Sequence, residues 1–112
     1  MHRIESPKHI VPEKYSFMQS TKQAFYFVEK ANIDGVEIDT DDLIIAYNKD
    51  VVVGSRYWYR GITDVPAMGL DNHYSSNFTG YCNKGDEIEF KILDASTDQL
   101  ITMFVVTGNN IW

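Results

Sequence analysis

The sequence of 112 residues has one cysteine, three prolines and no long apolar run. The single cysteine, Cys82, excludes an intrachain disulfide. No segment approaches the roughly 18 apolar residues that a membrane helix needs, so we expect no membrane association. The N-terminus shows neither the apolar segment nor the small-residue cleavage site of a signal peptide, so we expect no secretory signal. A domain with these absences must be stabilised by its hydrophobic core.

Basic residues are also scarce. Ten lysines and arginines stand against 16 acidic residues, which gives a net charge of −6 and argues against nucleic acid as a partner. The first fourteen residues are an exception, because Arg3, Lys8 and Lys14 outnumber two acids there. The remaining body carries −7. A mildly basic segment therefore precedes a strongly acidic one.

The hydrophobic fraction of 44% suits one folded domain, and fifteen aromatic residues enlarge its core. Helical periodicity is absent, while β-branched and aromatic segments alternate with turn residues. This pattern predicts strands within residues 23–33, 43–47, 51–59, 87–92 and 99–106, and a long loop over residues 60–82. Asp34-Gly35 predicts a tight turn, since both residues tolerate positive φ.

The predicted strands form two hairpins of equal length, which suit two facing sheets. We therefore predict an all-β fold, a single β-sandwich of jelly-roll-like or immunoglobulin-like type over residues 15–112. Residues 1–14 are predicted to be an extended arm, because Pro7 and Pro12 prevent them from forming a central strand. Polar and apolar residues alternate over residues 87–92. This alternation predicts that Phe90 and Ile92 are buried and that Glu87, Glu89 and Lys91 face outward.

A dense acidic block follows the predicted Asp34-Gly35 turn. Calcium binds six to eight oxygen ligands on irregular loops, and the spacing of an EF-hand is absent. The candidate calcium ligands are Asp34, Asp39, Asp41, Asp42 and Asp71. The alternative is that these are solvated acids at turns, and then the protein binds no cofactor.

A second candidate binding segment alternates cations and aromatic rings, namely Arg56, Tyr57, Trp58, Tyr59 and Arg60. Such a segment can stack sugars or bases and make cation–π contacts. On a strand, the two tyrosines face one way and the tryptophan the other. The alternative is that one set lies in the core and the other in a contact between sheets or subunits.

Catalytic residue patterns are not found. The three histidines are far apart, no G-x-S-x-G segment is present, and no paired acid and base can be recognised. We therefore expect a protein that is not an enzyme.

Four blocks resemble a family of small modules found in surface proteins of aquatic bacteria and in virion proteins of phages and large viruses. The resemblance spans residues 17–104. The blocks are Phe17 to Phe27, Asp42 to Asn48 with Val53 to Arg56, Asp64 to Asp71, and Gly80-Tyr81 with Gly85-Asp86 and Phe90 to Ser96. The resemblance implies a β-sandwich that acts as a non-catalytic adhesive or structural unit.

This resemblance and the arm together predict a structural component of a virus particle, a capsid-decorating, minor capsid or tail protein. It would dock on capsid or other virion proteins, as a homo-oligomer or lattice, through its arm and sheet edges. The arm residues expected to dock are Arg3, Ile4, Lys8, Ile10, Val11 and Lys14. The alternative is an extracellular or cell-surface module that binds carbohydrate through Trp58 and its neighbouring tyrosines.

Overall fold

The computed structural model describes residues 10–71 and 78–112, and over these residues the chain is all-β, as predicted. A 3-10 turn, Glu13–Tyr15, precedes the strands. The strands are β1 (Gln23–Val28), β2 (Asn32–Ile33), β3 (Val36–Glu37), β4 (Leu43–Asn48), β5 (Val51–Tyr57), β6 (Thr63–Met68), β7 (Glu89–Asp94) and β8 (Gln99–Thr102). In this part of the chain no helix is long and apolar enough to span a membrane.

The strands form antiparallel sheets that pack together in a sandwich. The largest sheet has the order β5-β4-β7-β8, a second contains β1 and β6, and β2 and β3 form a short hairpin. The two predicted hairpins are therefore present, but the prediction that they lie in facing sheets is wrong. Strand β4 is apolar on both faces and pairs with β7 as well as with β5. The second layer comes from β1 and β6.

Strand β6 corrects the sequence interpretation, because it lies within the predicted loop of residues 60–82. Pro66 argued against a strand there, since proline cannot donate to a ladder. In the structure Pro66 is opposite Phe25 of β1. Three positions further along the ladder, Lys22 and Gly69 form a hydrogen-bonded pair, since the Gly69 N–H donates to the Lys22 carbonyl at 2.6 Å. Antiparallel pairs alternate between bonded and non-bonded, so Phe25–Pro66 is a non-bonded pair and loses nothing from the missing donor.

Other strand boundaries also differ from prediction. β1 ends at Val28, and the last two residues of the predicted strand form β2, which pairs with β3 in a hairpin. The tight turn of that hairpin is confirmed, with φ of 51° at Asp34 and 80° at Gly35. β5 ends at Tyr57 and β8 ends at Thr102, so both are shorter than predicted, whereas β7 (Glu89–Asp94) has the predicted length but lies two residues later in the chain.

The main core lies between the two layers. β6 lies close against β5, because a Cβ built at Gly54 would be 1.6 Å from the Pro66 carbonyl oxygen. Phe90 and Ile92 are buried in this core as predicted, and Phe90 meets the Tyr26 ring edge to face at 5.2 Å. Glu87 and Glu89 are exposed, also as predicted. Lys91 is half-buried, with its Nζ 4.9 Å from the centre of the Tyr47 ring.

A second apolar cluster covers the outer face of the four-stranded sheet. Leu43, Ile45 and Tyr47 of β4 pack there with Tyr15, which belongs to the 3-10 turn before β1. All six residues of β4 are therefore buried, three on each face. A strand buried on both faces reads as a continuous apolar run rather than an alternation, as residues 43–47 do.

Candidate functional site

The two candidate sites of the sequence meet at one end of β4. The acidic residues after β3 and the turn between β7 and β8 enclose an open cleft of about 400 Å³. We call it the acidic cleft. Its lining residues are Ile33, Val36, Glu37, Ile38, Asp39, Asp41, Asp42, Asp94, Ala95 and Ser96. The segment of residues 56–60 contributes partners for two of these acids.

Asp42 is buried at the base of the acidic cleft and links two segments. One carboxylate oxygen accepts the Asp39 backbone N–H at 2.7 Å, and the other accepts the Ala95 N–H at 2.8 Å. The Asp42 carbonyl also accepts the backbone N–H of Trp58 at 3.1 Å. A buried carboxylate requires such donors, because an unsatisfied charge is costly away from water. Asp42 therefore holds the loop before β4 against the β7–β8 turn.

Two further acids bond to the segment of residues 56–60. The Glu37 carboxylate accepts the indole N–H of Trp58 at 3.0 Å. The Asp39 carboxylate accepts from the Arg60 guanidinium at 2.9 Å. Each of these hydrogen bonds joins an acid to a side chain of residues 56–60. The acids and the cation–aromatic segment therefore form one connected region.

Hydrogen bonds lower the pKa of two carboxyl groups at this end. The pKa of Asp39 is held below its ordinary value first by the backbone N–H of Thr40, and also by the nearby charge of Arg60. The pKa of Asp94 is lowered chiefly by the hydroxyl of Ser96, which donates at 2.7 Å, and by its backbone N–H at 3.0 Å. Both carboxyl groups are exposed, so these hydrogen bonds stabilise turns and do not compensate a buried charge.

The proposed calcium ligands are not all brought together. Asp34 is in the β2–β3 turn, and Asp71 lies beyond the far end of β6, where its carboxylate accepts the Thr21 hydroxyl at 2.9 Å. Asp39, Asp41 and Asp42 line the acidic cleft. Among residues 10–71 and 78–112, no three His, Cys, Asp or Glu side chains are grouped so that they could hold a metal ion. Calcium binding remains a prediction, and the observed contacts assign these acids to the fold.

The cation–aromatic segment is divided between core and surface. Trp58 is only 2% exposed and belongs to the main core, whereas Tyr59 is 60% exposed. Tyr57 packs on the outer-face cluster, where burial raises the pKa of its hydroxyl. Arg56 donates to the Asp64 carbonyl at 2.9 Å. With Trp58 buried, this segment does not present a continuous stacking surface.

The described part of the predicted arm lies on the outer face of the four-stranded sheet. Val11 packs against the outer-face cluster, and the Ile10 carbonyl accepts the Tyr57 hydroxyl at 3.3 Å. Lys14 lies 5.1 Å from the centre of the Tyr15 ring. The candidate docking residues Arg3, Ile4 and Lys8 lie outside the described residues.

Among the exposed large apolar side chains, two sets lie close together in the chain. Phe104, Val105 and Val106, which follow β8, are 88%, 48% and 91% exposed. On β1, Phe25 and Phe27 are exposed and alternate with half-buried neighbours. Three consecutive exposed apolar residues are unfavourable for an isolated domain, because they leave apolar surface in contact with water.

The lone thiol is not available for chemistry at neutral pH. Cys82 is buried, and burial, followed by the nearby charge of Asp86, raises the pKa of its thiol to about 12. A reactive cysteine instead needs a lowered pKa and access to solvent. Cys82 thus behaves as a small core residue.

Sequence reasoning missed three residues of this region. Glu37 was not recognised as the partner of Trp58, because that pairing joins residues 21 positions apart. Tyr15 was placed just outside the arm, although an aromatic residue after Pro12 is a signal of anchoring. Asp94 with Ser96 was recognised only as a turn, yet an aspartate two residues before a serine favours the local hydrogen bonds that are observed.

Comparison of the chain with family models, with curated proteins and with solved structures found no match.

Proposed function

We propose that this chain is a non-enzymatic structural module that docks on other protein subunits, and that it serves as a component of a virus particle. The observation that carries the proposal is the exposed apolar run Phe104–Val106. The virion setting is supported by the resemblance of residues 17–104 to modules of virion and surface proteins.

The distribution of side chains supports docking. Two acids singled out as candidate ligands are bonded within the fold: Asp42 to two backbone N–H groups, and Asp39 to the Arg60 guanidinium. Among the large apolar side chains, Val106 at 91% and Phe104 at 88% are by contrast highly exposed. Aromatic and aliphatic side chains of this kind anchor protein interfaces, where burial supplies most of the binding free energy.

The arm adds a second means of docking. Its root is fixed, because Val11 and Tyr15 pack on the outer face of the four-stranded sheet. The residues before it carry Arg3 and Lys8, and the body is acidic. A basic arm that starts from a fixed point can reach the acidic surface of a neighbouring subunit, and repeated contacts in a lattice raise the overall strength of association.

The alternative of a carbohydrate-binding module is less well supported. It relied on Trp58 as a stacking ring, and that ring is buried with its indole N–H bonded to Glu37. Of the three aromatic rings in the segment, only that of Tyr59 is exposed.

Particle composition tests the proposal. We expect mass spectrometry of purified virus particles from the source to detect this chain at a constant ratio to the major capsid protein. The double variant Phe104→Ser with Val106→Ser should be lost from particles while it keeps the β spectrum of the parent. Val36→Ser is the matched control, because Val36 is 70% exposed on the β2–β3 hairpin. A chain that is absent from particles but retained on the cell surface would contradict the proposal.

Removal of residues 1–9 tests the arm separately. Since the described contacts of Val11 and Tyr15 are kept, the melting temperature should be nearly unchanged while incorporation falls. If the shortened chain enters particles as well as the parent does, the arm has no docking role.

A further inference from the structure

The open edge of β1 suggests a specific mode of association. In an antiparallel ladder, alternate residues of a strand direct their N–H and C=O groups to opposite sides. The bond from Gly69 N–H to the Lys22 carbonyl shows that even-numbered residues of β1 point towards β6. Odd-numbered residues Gln23, Phe25 and Phe27 therefore direct their backbone groups away from β6.

These three residues meet no backbone partner within residues 10–71 and 78–112. Their side chains are also the exposed ones of the strand, because burial alternates from Gln23 onward and Phe27 is 68% exposed. The edge of β1 thus offers backbone donors and acceptors together with two phenylalanine rings.

The opposite edge of the same sheet, formed by β6, is not available for pairing with another strand. The Asp64 carbonyl of β6 accepts from Arg56, and the Met68 carbonyl accepts the Cys82 N–H at 3.1 Å. Pro66 between them has no N–H to leave unpaired. β5 lies directly against this side at Gly54. β6 therefore has the features that prevent further pairing, and β1 has none of them.

Soluble proteins usually protect an edge strand with charges, proline or a bulge. β1 contains no proline, no Asp, Glu, Lys or Arg, and a regular register from Gln23 to Val28. An edge without these protections is a template for another strand.

We propose that β1 pairs antiparallel with β1 of a second copy of this chain about a two-fold axis. This deepens the proposed function by assigning one of its interfaces, a contact between identical subunits. Charge supports a second copy as the partner. The chain carries −6 overall, yet β1 is uncharged and Lys22, Glu29 and Lys30 beside it sum to +1. Two acidic copies meet with least repulsion at this edge.

The register follows from the alternation of hydrogen bonds. All three outward residues can pair with outward residues of the second copy only if Phe25 faces Phe25 and Gln23 faces Phe27. In this register the numbers of two paired residues always add to 50. This register forms six backbone hydrogen bonds and places the exposed rings on one continuous face. A register shifted so that Tyr26 faces Tyr26 would pair only Phe25 and Phe27 among the outward strand residues, and it would oppose Lys22 to Lys30.

Solution mass tests the interface. We expect sedimentation of the full chain over a concentration series to show a species of twice the 12.9 kDa monomer. Phe25→Lys with Phe27→Lys should give a folded monomer, since lysine on an edge opposes pairing. Val36→Lys is the control and should remain dimeric, because Val36 is 70% exposed on the β2–β3 hairpin and belongs to neither proposed docking surface. A wild-type monomer at every concentration, or dimers equally lost in the control, would overturn the proposal.

Cross-linking tests the register. In a Cys82→Ser background, Phe25→Cys should form a covalent dimer in oxidised glutathione, because bonded pairs have Cα atoms about 5.5 Å apart, which a disulfide can span. Phe27→Cys should not, since it faces Gln23. Equal cross-linking at both positions would exclude this register. These assays use the free protein, so their failure is distinct from loss of particle incorporation.

Discussion

β4 and β1 are strands of six residues each, and both are rich in apolar side chains, yet their surroundings differ in every respect. β4 is paired on both edges and covered on both faces. β1 is paired with β6 alone and exposes alternate side chains. The comparison shows that an apolar strand acts as core or as contact surface according to its neighbours, because the same residue types stabilise the fold when buried and recruit a partner when exposed.

The strongest test of this contrast compares two phenylalanines. Phe90 is 6% exposed in the main core, so Phe90→Ala should lower the free energy of unfolding by about 3–5 kcal/mol. Phe27, at 68% exposure, is the matched control, and Phe27→Ala should cost less than about 1 kcal/mol. Urea denaturation at a concentration where the chain is monomeric measures both. Similar losses would mean that β1 is covered within the monomer.

The closed side of β6 gives the second test. Gly54→Ala should destabilise by about 1–3 kcal/mol or more, since its Cβ would meet a backbone carbonyl that cannot move alone. Gly61→Ala is the control, because nothing lies within 4 Å of a Cβ there. Thermal unfolding should separate the two variants. A tolerated Gly54→Ala would show that the layers can separate at this point.

The acids at the strand ends give a smaller effect. Asp42→Ala removes the acceptor for the backbone N–H groups of Asp39 and Ala95 and should cost about 1–3 kcal/mol. Glu29→Ala, directly after β1, removes an exposed acid and should be near neutral. Chemical denaturation of both variants checks the difference, and amide exchange at Ala95 should rise in the first only.

The smallest expected effect is a pH dependence at Asp94. Its pKa is lowered in the folded state by Ser96, so this interaction contributes stability above the unfolded pKa and loses it as pH falls through the folded value. Ser96→Ala should raise the pKa of Asp94 towards its ordinary value, as measured by carboxyl ¹³C shifts. The difference in stability between parent and variant should vanish once the pH is low enough for the carboxyl to be protonated in both the folded and the unfolded state. A difference in stability that persists at that low pH would have a cause other than the ionised carboxyl of Asp94.

The sequence predicted those parts of the fold that follow from local pattern. Alternation from Glu87 to Ile92 identified the buried side chains of β7, and Asp34-Gly35 identified a turn, because both signals depend on adjacent residues. β6 was missed, since its tolerance of Pro66 depends on a pairing register with a strand some forty residues earlier. The sheet order was also missed, because strand partners are chosen by tertiary packing.

The candidate site was predicted in residue content but not in arrangement. Asp39, Asp42, Trp58 and Arg60 were all singled out, and they are connected by hydrogen bonds. Sequence spacing could not show that Trp58 points into the core or that Asp42 reaches the β7–β8 turn. Charge density marks where acids lie in the chain, whereas their partners are set by the fold.

The order of strands also has a consequence for how the chain folds. β4 and β5 are joined by a turn of two residues, so they can find each other within microseconds. β1 must wait for β6, which follows β2 to β5 in the chain, and closing that long segment is entropically slower. During the delay both edges of β1 are unpaired. We expect refolding yield to fall as chain concentration rises, and dilution to restore it.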